Sequence, residues 1–226
     1  MQTRLYRTSL FILFYFCAAG TKAQPAAGPS GNSITLVYDI SINTDKMNTG
    51  IEEAYNGSTK TIFIQDNNTR IRLVSLMRIQ SIFFLKTDSL LKKVLFTKES
   101  GQKKYKYSLT PSEWKFYQAK YDSITYAFPD DSLSILGYNC KKAILYLKEG
   151  KEEVTAYYST QLKPLEKFIE PMFAGLPGMV LRYEHTAKKG TIIYTASKIS
   201  FDKIDNQLFV EPVRGYKLQK YSPSSR

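Results

Sequence analysis

The stretch Ile34-Thr35-Leu36-Val37-Tyr38-Asp39-Ile40-Ser41-Ile42 decides the fold. Large apolar side chains stand at every second position, with Thr35, Val37, Asp39 and Ser41 between them. A strand sends successive side chains to opposite faces, so this period predicts a strand with one face in an apolar core. Working outward, the same period recurs along the chain. Thr59 to Gln65 and Thr69 to Ser75 flank Asp66-Asn67-Asn68, whose side chains suit tight turns, and together they predict a hairpin. Tyr105, Tyr107 and Leu109 alternate with lysines and Ser108, and Ile124, Tyr126 and Phe128 alternate with small or polar residues. Lys141 to Lys148 and Glu152 to Ser159 read as two strands joined through Glu149-Gly150-Lys151. Met179, Leu181, Tyr183 and His185 form another face, and Thr191 to Ile199 returns from a turn at Ala187-Lys188-Lys189-Gly190. Many strands with short connections predict a mainly β fold, a single antiparallel sheet.

Helical signals are few. Thr110-Pro111-Ser112-Glu113 combines a capping hydroxyl, proline at the first helical position and glutamate at the third, predicting a short helix that carries Trp114 and Tyr117. Lys163 to Ala174 predicts a broken helix limited by Pro171. Leu85 to Phe96 fits helix and strand equally.

The ends of the chain read differently. Residues 1–23 combine Arg4 and Arg7, an apolar run from Leu10 to Ala19, and Thr21-Lys22-Ala23 ahead of Gln24, which is the pattern of a cleaved secretory signal. The run falls short of the roughly 20 residues that a membrane-spanning helix needs. Residues 24–33 are small, Pro/Gly-rich and aperiodic, a flexible leader. Residues 34–213 form one β-rich domain, and 214–226 a tail. The reading therefore expects an exported protein, in the periplasm, at the outer membrane or outside the cell. Cys17 leaves with the signal and lacks the small preceding residue of a lipidation site. Cys140 then stands alone and no intramolecular disulfide can form.

Removing the signal leaves 29 basic and 20 acidic residues, a net charge of +9. Such a balance suits anionic lipid or acidic polysaccharide, and export argues against nucleic acid. The single histidine excludes His-rich metal sites, and no phosphate-binding, dinucleotide-binding or serine-hydrolase motif is present. No metal and no cofactor is expected. Cys140 with His185 as base is the one thiol-hydrolase pairing the chain could offer. Against it, a lone cysteine among apolar residues commonly acts as a small buried hydrophobe. Asp130-Asp131 and Glu152-Glu153 are adjacent pairs that would point to opposite sides of a strand, so they do not converge on one bond.

Gly175-Leu176-Pro177-Gly178-Met179 predicts a type II turn, with proline at its second position and glycine supplying a positive φ at its third. Upstream, Leu136-Gly137-Tyr138-Asn139-Cys140-Lys141-Lys142-Ala143 leads into a hairpin that ends at Ala156-Tyr157-Tyr158-Ser159. This order of blocks resembles the GLPGLI family of exported Bacteroidota proteins over about Ile34 to Pro212, with Met179-Val180 where the family name has Leu-Ile. The resemblance implies a distant likeness to the lipoprotein-carrier fold of the LolA and LolB type. That fold is a strongly curled antiparallel half-barrel whose concave apolar face is covered by short helices. It also brings in the Asp-Ser-apolar pattern used for O-glycosylation in that phylum, matched at Asp88-Ser89-Leu90, Asp122-Ser123-Ile124 and Asp131-Ser132-Leu133.

The expected function is that of a non-enzymatic envelope protein binding a lipid or another apolar or amphipathic ligand in a half-barrel cavity. Tyr126, Phe128, Tyr146, Tyr158 and Tyr183 are its wall candidates. The alternative is an accessory module that partners an outer-membrane transporter through a sheet edge or the basic face, with contact to a membrane surface. A hydrolase using Cys140 and His185 is the third.

Overall fold

The computed structural model of the chain describes residues 33–43, 56–87, 90–147, 152–187 and 190–220. The alternating stretch is strand β1 (Ser33–Asn43), and Leu36, Tyr38 and Ile40 on its apolar face are fully buried. Twelve more strands follow: β2 (Ser58–Gln65), β3 (Asn68–Ser75), β4 (Arg78–Thr87), β5 (Leu90–Ser100), β6 (Lys103–Leu109), β7 (Thr125–Ala127), β8 (Ser132–Ile135), β9 (Tyr138–Leu147), β10 (Glu152–Ser159), β11 (Met179–Ala187), β12 (Gly190–Ser200) and β13 (Lys217–Leu218). One α-helix is described, α1 (Pro111–Gln118), along with short 3-10 turns at Ala119–Tyr121, Pro171–Phe173 and Asn206–Phe209.

All thirteen strands join one sheet, ordered β13-β6-β5-β4-β3-β2-β1-β12-β11-β10-β9-β7, with β8 also on β9. Every pairing is antiparallel except that of β13 with β6. The long-range pairing of β1 with β12 splices two runs of neighbouring strands into one surface. The strongly curled half-barrel is not what forms. The sheet is open and not strongly curled. A half-barrel covered by helices on its concave face alone would leave the other face to solvent, whereas here irregular chain packs on the face opposite the helix as well.

Register fixes the two faces. Tyr38 opposes Lys60, which opposes Leu73; on the other side Ile40 opposes Tyr194, which opposes Tyr183. These side chains share a front face. Phe83 and Leu95 lie on the back face, where they are buried. The back is covered by residues 201–219. Ile204 donates its N–H to Gln65 at 2.6 Å, Arg70 donates to the Leu208 carbonyl at 3.0 Å, and Lys93 pairs with Glu211 at 2.8 Å. The expected tail from 214 thus begins within structure, since Lys217–Leu218 forms β13 and the Gln219 N–H reaches the Lys106 carbonyl.

The front is covered by α1 and the link between β10 and β11. α1 starts as its sequence predicts. Thr110 Oγ1 accepts the Glu113 N–H, and the Glu113 carboxylate accepts the Thr110 N–H at 2.7 Å, a complete capping box. These bonds hold the Glu113 carboxyl below its usual pKa. Trp114 goes into a small core with Phe84, Val94 and Leu109. Residues 163–174 do not make the expected broken helix. Short turns form instead at 167–169, where the Ile169 N–H reaches the Glu166 carbonyl, and at Pro171–Phe173, as a 3-10 element. Pro164 and Pro171 interrupt the ladder, and Phe168 and Phe173 anchor at different places on the sheet. Leu85 to Phe96 resolves as the end of β4 and most of β5, facing one another across a bulge.

The GLPG turn forms for another reason than the one its sequence suggests. Gly178 does not adopt a positive φ, so no type II turn is made there. Its missing side chain serves contact instead: a Cβ would stand 2.2 Å from the Ser159 carbonyl oxygen. At Gly175 a Cβ would stand 2.6 Å from the Tyr126 ring. Backbone cannot swing aside, whereas a half-buried ring can. Gly178→Ala is therefore expected to cost about 1–3 kcal/mol of stability as overpacking, and Gly175→Ala measurably less. Urea denaturation of the two variants beside the wild type checks the order.

Candidate functional site

The front face carries a charge where its period calls for an apolar residue. On β2, Lys60 is in phase with Ile62 and Ile64, so the register sends its ammonium into the core. There it pairs with Glu170, just ahead of Pro171 in the covering segment, with the two side chains 11% and 10% exposed. The Tyr183 hydroxyl accepts a second Lys60 hydrogen bond at 3.1 Å. The ammonium also lies 5.3 Å from the ring centres of Tyr38 and Tyr183 and 5.8 Å from that of Tyr194, within cation–π range.

Tyr183 is the hub of this arrangement. It stacks on Tyr194 at 4.3 Å and 9°, and meets Tyr38 and Phe173 edge to face at 5.9 and 5.0 Å. The Tyr38 hydroxyl donates to the Val180 carbonyl at 2.7 Å. Burial, reinforced by the Glu170 charge, pushes both phenols well above the usual tyrosine pKa. Burial works against the Lys60 charge, but the Glu170 charge and its hydrogen bond to the ammonium counter it and the pKa is raised. Near neutral pH the cluster therefore holds an ammonium among neutral phenols.

A second ion pair, Lys86 with Glu166 at 3.0 Å, clips the same segment to β4. Phe168 between the two carboxylates takes the Lys86 ammonium over its ring at 4.3 Å and meets Phe84 edge to face. Its carbonyl accepts from the Gln118 side chain. The segment is thus fastened as a roof over the front face.

Two open clefts flank the Tyr183–Tyr194 stack. One, of about 360 Å³, has Ile71, Leu73, Ile82, Phe96, Tyr107 and Tyr117 in its walls, with Lys60 and Gln80 as polar handles. The other, of about 380 Å³, includes Tyr121, Met172 and Ile192 with Lys120, Glu152 and His185. Among the described residues no group of three His, Cys, Asp or Glu side chains could hold a metal.

Of the wall candidates read from sequence, Tyr183 lies where both clefts meet. Tyr126 shares its face but is taken up by the roof, where its hydroxyl accepts the Gly175 N–H at 3.3 Å and donates to the Met172 carbonyl. Phe128 is 55% exposed and stands with Tyr158 at a separate polar cleft beside Asp130, Asp131 and Lys142. Tyr146 alternates with the buried Leu145 and Leu147, so it points away from the Tyr183 face. Sequence reading missed Lys60, Glu170 and Tyr194. Its available signal was a lysine in the apolar phase of β2.

Cys140 and His185 are not brought together. His185 opposes Val154, which opposes Leu145. Cys140 lies five residues further along β9, roughly 16 Å at about 3.3 Å per residue. Cys140 is fully buried, and burial pushes its thiol pKa up to about 11. Neither distance nor thiolate population suits a nucleophile. Asp88-Ser89 lies outside the described residues, while Asp122, Ser123, Asp131, Ser132 and Leu133 are exposed.

Removing Glu170 alone would strand a buried ammonium. Glu170→Ala is expected to cost about 3–5 kcal/mol, whereas Lys60→Met with Glu170→Met should be neutral or stabilising by about 1–4 kcal/mol. Denaturant midpoints of the single and double variants check this.

No family profile and no curated protein sequence matches the chain. Among solved structures it is similar to PNGF-II in its C2 crystal form, at 16% identity and a TM-score of 0.47, over 85% of this chain and 31% of that one. The P21 form gives 15%, 0.45, 84% and 32%. The chain thus spans about a third of the length of PNGF-II. It is also similar to a beta-barrel-like protein of the domain of unknown function DUF1849 from Brucella abortus, at 8% identity and a TM-score of 0.32, over 77% of this chain and all of that one.

Proposed function

We propose that the chain is an exported envelope protein of the GLPGLI type that binds an amphipathic ligand without transforming it. The ligand's apolar part lies in the cleft between the Tyr183–Tyr194 stack and the wall of Phe96, Tyr107 and Tyr117. The observation that carries this reading is the cleft itself: about 360 Å³, with Ile71, Leu73, Ile82 and five aromatic rings in its walls beside Lys60, Gln80, Ser81, Thr97 and Lys98. Small-molecule sites have that size and composition. The Lys60 ammonium is already paired with Glu170, so Lys98 at the exposed margin is the cationic handle of the cleft. An acyl or aromatic body with a polar or anionic head fits such a lining. The separation of Cys140 from His185 argues against that one thiol–imidazole pairing. The family assignment rests on the motif residues, Gly137 to Ala143 and Gly175 to Met179.

Leu73 is half-buried, lines the cleft and belongs to neither core, so enlarging it fills the cleft at little cost elsewhere. The purified protein is expected to enhance the fluorescence of the apolar probe N-phenyl-1-naphthylamine, and Leu73→Trp to bind that probe about tenfold more weakly, or about 1.4 kcal/mol. Far-UV circular dichroism should be unchanged. A wild type that leaves the probe dark, or a Leu73→Trp variant that binds it equally well, would refute the cleft as the binding site.

A further inference from the structure

Leu76 and Met77 form the two-residue tip joining β3 to β4, and they are 89% and 70% exposed. Nothing in turn formation calls for them. Among the described residues the other two-residue links are Asp66-Asn67, Gly101-Gln102 and Leu136-Gly137, each with a residue at positive φ. Tight hairpins favour such residues because primed turns match strand twist. Leu76 and Met77 have no positive φ and no polar side chain to cap the turn. Two large apolar side chains at a solvent-facing tip break the local rules of turn and surface at once, and such breaks mark functional positions.

The surroundings of the tip are basic. Ser75 opposes Arg78, Ile79 opposes Glu99, and Ser100 opposes Lys103. The tips of the β3–β4 and β5–β6 hairpins therefore sit side by side at one end of the sheet, with neighbouring strands about 5 Å apart. Of the ten basic residues on strands β3 to β6, Lys86, Lys92 and Lys93 lie at the other end, while Arg78, Lys98, Lys103 and Lys104 lie at or near this one, where Glu99 is the one acid of these strands. That acid is engaged by Lys104 at 2.8 Å and by the Tyr216 hydroxyl. Arg78, Lys98 and Lys103 are exposed at or near this end.

We infer that this end of the sheet docks on an anionic bilayer, with Leu76 and Met77 entering the interfacial region and Arg78, Lys98 and Lys103 meeting lipid phosphates. A convex tip has no groove for a partner helix or strand. A fluid apolar medium needs no complementary shape to bury two flexible side chains, and basic residues around an inserted apolar pair match the charge of such a surface. Neither tip residue lines either cleft, so docking stands whether or not the cleft takes a ligand. Leu73, Gln80 and Lys98 of the first cleft lie within a few residues of the tips, so a docked bilayer would face that cleft's margin.

The test is flotation of the purified protein with vesicles of equal parts phosphatidylcholine and phosphatidylglycerol, against vesicles of phosphatidylcholine alone. The wild type is expected to float with the anionic vesicles and to be released as salt rises from about 50 to about 500 mM. The Leu76→Asn, Met77→Asn double variant should bind about tenfold more weakly, and Arg78→Glu at least about fivefold. Circular dichroism and Trp114 emission should match the wild type, since all three positions are exposed. No binding to anionic vesicles would overturn the proposal, and so would a double variant that binds as tightly as the wild type. Loss of a self-associated species in the double variant, without change in vesicle binding, would also overturn it and assign the tip to contact between copies.

Discussion

The Lys60–Glu170 pair is the interaction on which the front of the molecule depends. It joins the second strand to a segment 110 positions further along, and it does so in a place shielded from water, where a missing partner is costly. Its geometry is set by neighbours that are themselves fixed: Tyr38 by its bond to the Val180 carbonyl, Tyr183 by stacking on Tyr194. A buried pair of this kind adds little net stability compared with an apolar pair. What it adds is position. The segment between β10 and β11 has almost no secondary structure of its own, and three prolines of its sequence (Pro164, Pro171 and Pro177) exclude a long helix. Its place over the sheet comes from side-chain anchors, namely Glu166, Phe168, Glu170 and Phe173.

That arrangement explains why the strands could be read from the sequence and the site could not. Alternation is a local signal, and it marked β1, the β2–β3 hairpin, β9, β10, β11 and β12 because each buries one face. The cap of α1 was legible for the same reason, since Thr110 and Glu113 satisfy one another within a single turn. The degree of curl was not legible. It depends on what packs against each face, and the C-terminal segment that covers the back is irregular chain with no period to read. The front-face cluster was hidden as well, because Lys60, Glu170 and Tyr194 come from three distant parts of the chain. Tyr146 shows the opposite error: its residue type suited a cavity wall, but its parity within β9 put it on the other face.

Gly178 and Leu136 show how one motif can conceal two different physical demands. Gly178 was read as a residue chosen for its backbone freedom, and it is required for close approach to Ser159. Leu136, at φ 52°, takes a left-handed conformation without being glycine, next to Gly137 at 81°. Such a backbone costs a non-glycine residue about 1–2 kcal/mol, and the β8–β9 hairpin accepts that cost. Gly178 fixes how closely the end of β10 approaches the roof.

The central claim is that this roof is part of the rigid structure, held by its side-chain anchors. Amide hydrogen exchange across residues 160–178 tests it most directly. The N–H groups of Ile169, Phe173 and Leu176 bond to the carbonyls of Glu166, Glu170 and Phe173 at 2.8 to 3.0 Å. With the anchors in place, these amides are expected to exchange within about tenfold of the β10 and β11 amides. Exchange at the rate of an unstructured peptide, while those strands stay protected, would contradict the account.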